Sequence, residues 1–360
     1  MLKKLSASTM LASALVLSVP MAANAFEITL SGDSEFKYQT WSDEMDNTGG
    51  QNDSKTSNES HIIIAAENTA DNGLTYGAWF RIEAEGLGAN GDDNLKEDGH
   101  NLYVKGDFGK VQLGSNGSAG GTYYSDVMDT VINDESTSGD GLPAYGYRTD
   151  ANTSDEVMSY HTPTLGGFKG GISFVDAGAD SKADGREIGL QYTGQLMNGS
   201  FTLKYASSEY DSNAVSKAAV DANTTTDGTP NTIGSEPVTP SNEVSAASIG
   251  GDLKIGAFGL HVSRNTEDKE DANGNKTSEL ENTGFAGSYQ ASDALKLALG
   301  IASAEDETKD SEVNLTAFSA DYTIAKGLKT GLSYTSWDGK KNATDDQDGT
   351  YTVVYMKVSF

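Results

Sequence analysis

Hydrophobic and polar residues alternate along much of this chain. The segments 28–39, 74–85, 201–206 and 295–302 place apolar side chains at every second position, with polar or small residues between them. Successive side chains of a β-strand point to opposite faces, so this period predicts strands with one apolar and one polar face. The last residues, TYTVVYMKVSF (350–360), keep the same period up to a terminal aromatic residue. They predict a final strand that is held by a neighbour, because chain ends otherwise fray in water.

The connections between these segments alternate in length. Short ones carry the Gly, Asn or Asp that tight turns require, and they fall at 67–73, 107–110, 162–167, 195–200, 255–258, 290–294 and 324–327. Longer polar stretches lie between them, at 41–57, 86–99, 115–155, 176–185, 209–243, 264–278, 303–311 and 337–349. Seven short and eight long connections join sixteen strands, with short turns at one end and long loops at the other.

This arrangement predicts an all-β fold, a sixteen-stranded antiparallel transmembrane β-barrel. Such barrels have even strand numbers and alternate apolar and polar residues, and closure gives every backbone group an internal partner. The final strand is then expected to pair with the first strand near residues 26–38. A soluble β-sandwich is the alternative, but it predicts no sorting of loop lengths. Its core would also reject the cationic side chains on inward positions, which are Lys37, Arg81, Lys105, Lys204 and Lys254.

Residues 1–25 have the form of a secretory signal peptide. Lys3 and Lys4 precede an apolar stretch, and small residues at Ala23 and Ala25 form an A-x-A-like cleavage site. The apolar stretch is shorter than the roughly 20 residues that a membrane helix needs. We therefore expect export and cleavage after Ala25, leaving one barrel domain at 26–360 in the outer membrane.

Composition narrows the possible functions. The full chain has a net charge of −28, and removing two lysines with the signal peptide leaves −30, which argues against nucleic acid as a partner. Cysteine is absent, so disulfides and Cys-based metal sites are excluded. The high charge and 36% hydrophobic content are also compatible with disorder, but 16 tyrosines and 11 phenylalanines in periodic positions favour a folded chain.

Two internal stretches stand out, NLYVKGDFGKVQLGSN (101–116) and VMSYHTPTLGGFKGGISF (157–174). With the terminal Phe360 they resemble the general (diffusion) porins of Gram-negative outer membranes: the first resembles that family's fourth strand, tight turn and fifth strand, and the second its following hairpin. Phe360 resembles the C-terminal aromatic residue that the barrel assembly machinery recognises. The resemblance implies a homotrimer in outer-membrane lipid and lipopolysaccharide, with its third loop folded into the pore opposite basic wall residues.

The loop at 115–155 is the candidate constriction. So long a connection is uncommon unless it is functional, and YSDVMDTVI (124–132) predicts a helical turn with Asp126 and Asp129 on one face. The candidate acidic residues of the constriction are Asp126, Asp129, Asp134 and Glu135. The candidate basic residues of the pore wall are Lys37, Arg81, Lys105 and Lys110. Solvated loop acids remain the alternative interpretation of each acidic residue.

We expect passive diffusion of small hydrophilic solutes and ions, with a preference for cations, because carboxylates and acidic loops at a pore enrich cations. A substrate-specific porin and a secreted adhesive or structural β-protein are the alternatives. No cofactor is expected. Asp345, Asp346 and Asp348 are weak candidates for structural calcium, since DDQDG lacks the EF-hand spacing. The four histidines form no HExxH motif or close metal spacing and G-x-S-x-G is absent, so we expect no enzyme.

Overall fold

The described strands form one closed antiparallel sheet. A computed structural model of the protein describes residues 26–43, 54–85, 95–131, 156–176, 184–212, 242–271, 273–342 and 345–360. The strands are β1 Glu27–Asp43, β2 Ser54–Thr69, β3 Thr75–Glu85, β4 Leu95–Gly106, β5 Gly109–Gly114, β6 Glu156–His161, β7 Phe168–Asp176, β8 Asp184–Leu196, β9 Gly199–Ser212, β10 Asn242–Ile255, β11 Phe258–Glu270, β12 Lys276–Gln290, β13 Leu295–Asp306, β14 Ser311–Ala325, β15 Leu328–Asn342 and β16 Asp345–Ser359. Between β5 and β6 lie the short helix α1, Ala119–Tyr123, and the 3₁₀ helix η1, Met128–Thr130.

The sixteenth strand closes the sheet against the first. Each strand pairs with its neighbours in sequence, and β16 pairs with β1 in a register that places Tyr38 opposite Val354. The backbone N–H of Phe360 donates to the Gly32 carbonyl at 2.9 Å, and the Gly32 N–H donates back to Phe360 at 3.0 Å. The predicted barrel and the pairing of its last strand with its first are confirmed. Closure removes the two edges that would leave backbone groups unpaired.

The two faces of the sheet differ as the alternation predicts. Large apolar side chains such as Phe36, Leu299 and Met356 are exposed on the outer face. Polar side chains such as Gln39 and Asn282 are buried on the inner face. Among the described residues, no helix is both long and apolar enough to cross a membrane.

Three of the predicted long loops are wrong. The stretches 264–278, 303–311 and 337–349 are largely strand, and the connections there span only 271–275, 307–310 and 343–344. Most residues on both faces of these strand ends are polar, with Ala304 and Trp337 as buried exceptions, so the sequence shows little alternation. Ion pairs near the β11–β12 turn include Lys276 Nζ with Glu279 Oε1 at 2.8 Å and with Asp268 Oδ1 at 3.3 Å. The signal peptide predicted at 1–25 lies outside the described residues and stays a prediction.

Candidate pore lining

Residues 115–131, called here the loop segment, lie along the inner face of the barrel from β5 to β13. The segment leaves β5 after Gly114, and α1 contacts β6, β7, β8 and β9. Farther along, η1 contacts β12 and β13. About half of the inner wall therefore supports the loop segment, and β1–β3 lie on the part of the wall beyond these contacts.

Near the start of the loop segment, side chains of the wall bind the backbone carbonyl of Gly117. Gly117 O accepts hydrogen bonds from Gln112 Nε2 at 2.6 Å, Ser159 Oγ at 3.0 Å and His161 Nε2 at 2.9 Å. The backbone here has φ +82°, and a Cβ atom would lie 1.7 Å from Gln112 Nε2. Both the left-handed conformation and the close approach of a side chain require glycine.

Polar side chains of the wall, three serines and one glutamate, accept the segment's backbone N–H groups. The pairs are Ala119 N with Ser173 Oγ at 2.6 Å, Gly120 N with Glu187 Oε2 at 2.8 Å, Ser125 N with Ser248 Oγ at 3.1 Å and Val127 N with Ser263 Oγ at 2.9 Å. A chain lying on the face of a sheet cannot join its ladder, so its backbone donors need side-chain acceptors. Serine meets this need because its short hydroxyl lets the segment approach closely.

Glycines of the wall make room for the segment's side chains. A Cβ at Gly189 would lie 2.0 Å from Tyr123 Cδ2, and a Cβ at Gly284 would lie 2.0 Å from Val127 Cγ1. At Gly250 the corresponding distance to Ser125 Oγ is 2.1 Å. None of these three glycines has a positive φ, so close packing explains them.

The far end of the segment packs on an apolar sector of the inner wall. Val127, Met128 and Val131 are buried in one cluster with inner-face residues of β12–β16, which are Ala286, Ala298, Ala302, Ala304, Val313, Leu315, Ala317, Trp337, Tyr351 and Val353. A polar contact adjoins this cluster. His261 places Nδ1 2.9 Å from Thr130 Oγ1 and Nε2 3.0 Å from Ser125 Oγ.

The two described acids of the predicted constriction differ in exposure. Asp126 is only 6% exposed, and its carboxylate accepts from Met128 N at 2.8 Å and from the Tyr124 hydroxyl at 3.0 Å. Burial raises the pKa of Asp126, and these two hydrogen bonds oppose the rise. Asp129 is exposed on η1, so the expectation that both acids share one helical face is wrong. Asp134 and Glu135 lie outside the described residues.

Two of the predicted basic residues, Lys37 and Arg81, lie across the barrel from the loop segment. Lys37 is buried on β1, with Nζ 3.7 Å from Glu35 Oε1. Arg81 on β3 forms an ion pair with Asp98 and donates from Nε to the Asp98 carbonyl at 3.2 Å. Both cations are therefore compensated by neighbouring carboxylates.

Lys105 and Lys110 are opposite one another on β4 and β5. Lys105 Nζ lies 2.7 Å from Glu67 Oε2, and both ammonium groups lie over the Tyr103 ring, at 5.4 Å and 5.0 Å from its centroid. The structure thus places the four predicted basic residues on the inner face, in two separate groups. Their role in ion selection stays a prediction.

A larger group of charges surrounds Lys37 and Arg81, and sequence reasoning missed most of it. This charge cluster comprises Asp33, Glu35, Lys37, Glu59, His61, Arg81, Glu83, Asp98 and Lys357. It holds five carboxylates and three cationic groups, which gives a net charge of −2 with His61 neutral. Alternation shows that each member can face inward, but only strand register brings them together.

The remaining candidates lie at the seam and in the hairpins. Phe360 closes the β1–β16 seam through its backbone. Asp346 and Asp348 are exposed residues of strand β16, and Asp345 begins that strand. Asp346 and Asp348 are two residues apart on the strand and therefore share a face. Calcium binding there stays an untested prediction.

The turn at 271–275, between β11 and β12, also contains an aspartate, Asp271, and backbone N–H groups of the same turn donate to its carboxylate. The Asp271 carboxylate accepts from Asn275 and Asn273, with the two backbone N–H groups at 2.9 and 2.8 Å. These hydrogen bonds, those from Asn275 first, lower the pKa of Asp271 to about 2. The carboxylate therefore stabilises the β11–β12 turn.

Comparison with known proteins agrees with a pore-forming barrel. The sequence profile of the Gram-negative porins matches residues 7–350. The chain belongs to this family. A porin from Rhodobacter capsulatus is 25% identical over 167 residues, which is 46% of this chain and 50% of that protein. The chain thus spans about half the length of this curated relative.

Solved porins share the fold at low sequence identity. A triple mutant of the Rhodopseudomonas blastica porin superposes with a TM-score of 0.58 at 18% identity, covering 92% of this chain and 100% of that one. A variant of the same porin with five substitutions gives 0.59 at 16% identity over the same shares. The resemblance to porins that the hairpins and Phe360 indicated is confirmed.

Proposed function

We propose that this porin is an outer-membrane channel for passive diffusion of small hydrophilic solutes and ions, and that it prefers cations. The observation that carries the proposal is the position of the loop segment, which occupies the inner wall from β5 to β13. Diffusing solutes then pass between the segment and the opposite face formed by β1–β3. The loop segment narrows the pore.

We infer the cation preference from the excess of carboxylates over cationic groups in the charge cluster, which lies on the wall of this passage. The charge cluster has five carboxylates against Lys37, Arg81 and Lys357, and the arginine is paired with Asp98. The other two arginines in described strands, Arg186 and Arg264, are exposed on the outer face and pair with glutamates. Rings of carboxylates favour cations, and charges in a narrow aqueous passage are screened less than those at an open surface.

Family membership supports the remaining parts of this proposal. We expect a homotrimer in contact with outer-membrane lipid and lipopolysaccharide, assembled by the barrel assembly machinery through Phe360. The same membership supports a channel rather than an enzyme. A solute that blocks single channels in a saturable way would instead identify a substrate-specific porin.

The test is the reversal potential of the purified protein in a planar bilayer under a salt gradient. We expect stepwise conductance and a cation-selective reversal potential. Replacing both Glu35 and Glu59 by glutamine should move that potential toward zero, because two lumenal carboxylates are lost. Glu209→Gln removes a carboxylate from the outer face and should leave it unchanged. An anion-selective wild-type channel would contradict the cation preference, and folded protein without conductance would contradict the channel.

A further inference from the structure

Three neighbouring strands place titratable side chains in one row on the inner wall. Strand register sets Asp33 of β1 opposite His61 of β2, and His61 opposite Glu83 of β3. Glu59 lies two residues along β2 and therefore faces the same way. One oxygen from each glutamate and one ring nitrogen of His61 all lie within 4.8 Å of one another. His61 and Glu83 are only 7% and 5% exposed.

The imidazole of His61 has carboxylates at both ring nitrogens. Nδ1 lies 3.2 Å from Asp33 Oδ1, whereas Nε2 lies 3.0 Å from Glu59 Oε1 and 3.6 Å from Asp98 Oδ2. A neutral imidazole has a single N–H. If that N–H donates to Asp33, the lone pair of Nε2 faces carboxylate oxygens, and this contact is repulsive without a cation between them.

The arrangement on the Asp33 side is the one that metal-bound histidines use. A ligating imidazole usually donates its second N–H to a carboxylate, which fixes the tautomer and directs the free lone pair at the metal. Asp33 also lies 3.7 Å from Lys357 Nζ, and Asp98 is paired with Arg81. These two acids have cationic partners of their own. Glu59 lies beside Nε2, and Glu83 supplies a second carboxylate oxygen within 4.8 Å of a ring nitrogen and of the Glu59 oxygen.

We propose that Glu59, His61 and Glu83 bind one divalent transition-metal ion on the pore wall, with Asp33 as the residue that positions His61. One imidazole nitrogen and two carboxylates are a donor set suited to Zn²⁺ and related ions. Ca²⁺ and Mg²⁺ prefer oxygen donors alone. Lumenal water completes the coordination. Binding adds two positive charges to the wall opposite the loop segment and weakens its attraction for cations.

The test is calorimetric titration of chelator-treated, detergent-purified, folded protein with ZnCl₂. We expect one ion per chain, with no comparable heat from CaCl₂. His61→Gln should abolish binding, and Asp33→Asn should weaken affinity by ~10–100-fold, the usual effect of removing a carboxylate behind a ligand histidine. His100→Gln is the matched control, because His100 also lies between two carboxylates, Glu97 at 2.7 Å and Glu156 at 3.3 Å.

Heat modifiability on gels verifies that each variant is folded, and Glu83→Gln provides a second ligand variant if His61→Gln fails to fold. Unchanged Zn²⁺ affinity in folded His61→Gln, or in both Glu83→Gln and Asp33→Asn, would overturn the proposal. So would wild-type protein that binds no Zn²⁺. The titration needs no conduction, so a protein that binds Zn²⁺ without forming channels refutes only the proposed function.

Discussion

The contact between Gly284 and the loop segment gives the sharpest prediction. A methyl group at Gly284 would lie 2.0 Å from Val127 Cγ1, whereas carbon atoms in contact are separated by about 3.5–4.0 Å. Gly284→Ala therefore creates an overlap of roughly 1.5–2 Å. Val127 is buried and branched at Cβ, so its side chain has few alternative rotamers. Overpacking of this kind costs about 1–3 kcal/mol.

The expected consequence is displacement of the loop segment from the wall. Moving Val127 also lengthens its 2.9 Å hydrogen bond to Ser263, and a lost hydrogen bond costs about 0.5–1.5 kcal/mol. Gly284→Ala should lower the unfolding temperature in detergent and change the single-channel conductance. Both should change because the displaced segment lies in the lumen. Barrel closure should persist, and heat modifiability on gels measures it.

Gly287→Ala is the matched control. It lies on the same strand but faces outward, and the nearest atoms to its Cβ would be Leu260 Cδ2 at 3.9 Å and Gly259 O at 4.0 Å. Alanine there should be tolerated. Adding Val127→Ala to Gly284→Ala removes the overlapping methyl and should restore conductance, a coupling that a double-mutant cycle measures. Equal effects of the two glycine substitutions, or no rescue, would refute this account of the segment.

Three further predictions concern the outer face, the loop segment and the seam. Leu299→Arg places a charge on the exposed apolar outer face and should cost about 2–4 kcal/mol near the bilayer midplane, which a fall in folded yield measures. Asp126 has a raised pKa in the fold, so its ionisation opposes folding above its ordinary pKa. The unfolding temperature of Asp126→Asn should therefore rise relative to that of the wild type as pH increases from about 4 to 8. A difference in unfolding temperature that does not change with pH would contradict the burial argument. Deleting Phe360 removes both hydrogen bonds to Gly32 and should reduce the folded fraction more than Phe360→Ala, which keeps the backbone. Equal reductions of the folded fraction in the two variants would instead assign the effect to the aromatic ring.

Alternation was a sufficient guide to the strands because a barrel wall has two different environments. An outward residue such as Phe36 and its inward neighbour Lys37 differ in polarity, so the period of two is visible in the sequence. The same principle explains the failures at 264–278, 303–311 and 337–349. Most residues on both faces of those strand ends are polar, and the sequence signal weakens although the hydrogen-bonded ladder continues.

The pore lining was only partly predictable. The sequence located loop 115–155 by its length and predicted the inward positions of Lys37, Arg81, Lys105 and Lys110 by parity. It did not show that Asp126 is buried in its own turn. It also gave no reason for the serines and glycines of β7–β13, which are small because another part of the chain lies on them.

The alternation of polar and apolar residues, the closure of the barrel and the acidic charge could all be inferred from the order of residues, because these properties are local or additive along the chain. Which distant residues meet depends on the folded structure. Asp33, His61 and Glu83 share a row through the registers of β1, β2 and β3, and shifting one strand by a single residue would turn its members to the other face. Register depends on turns and packing across the whole barrel, and for that reason the charge cluster appears only in the folded protein.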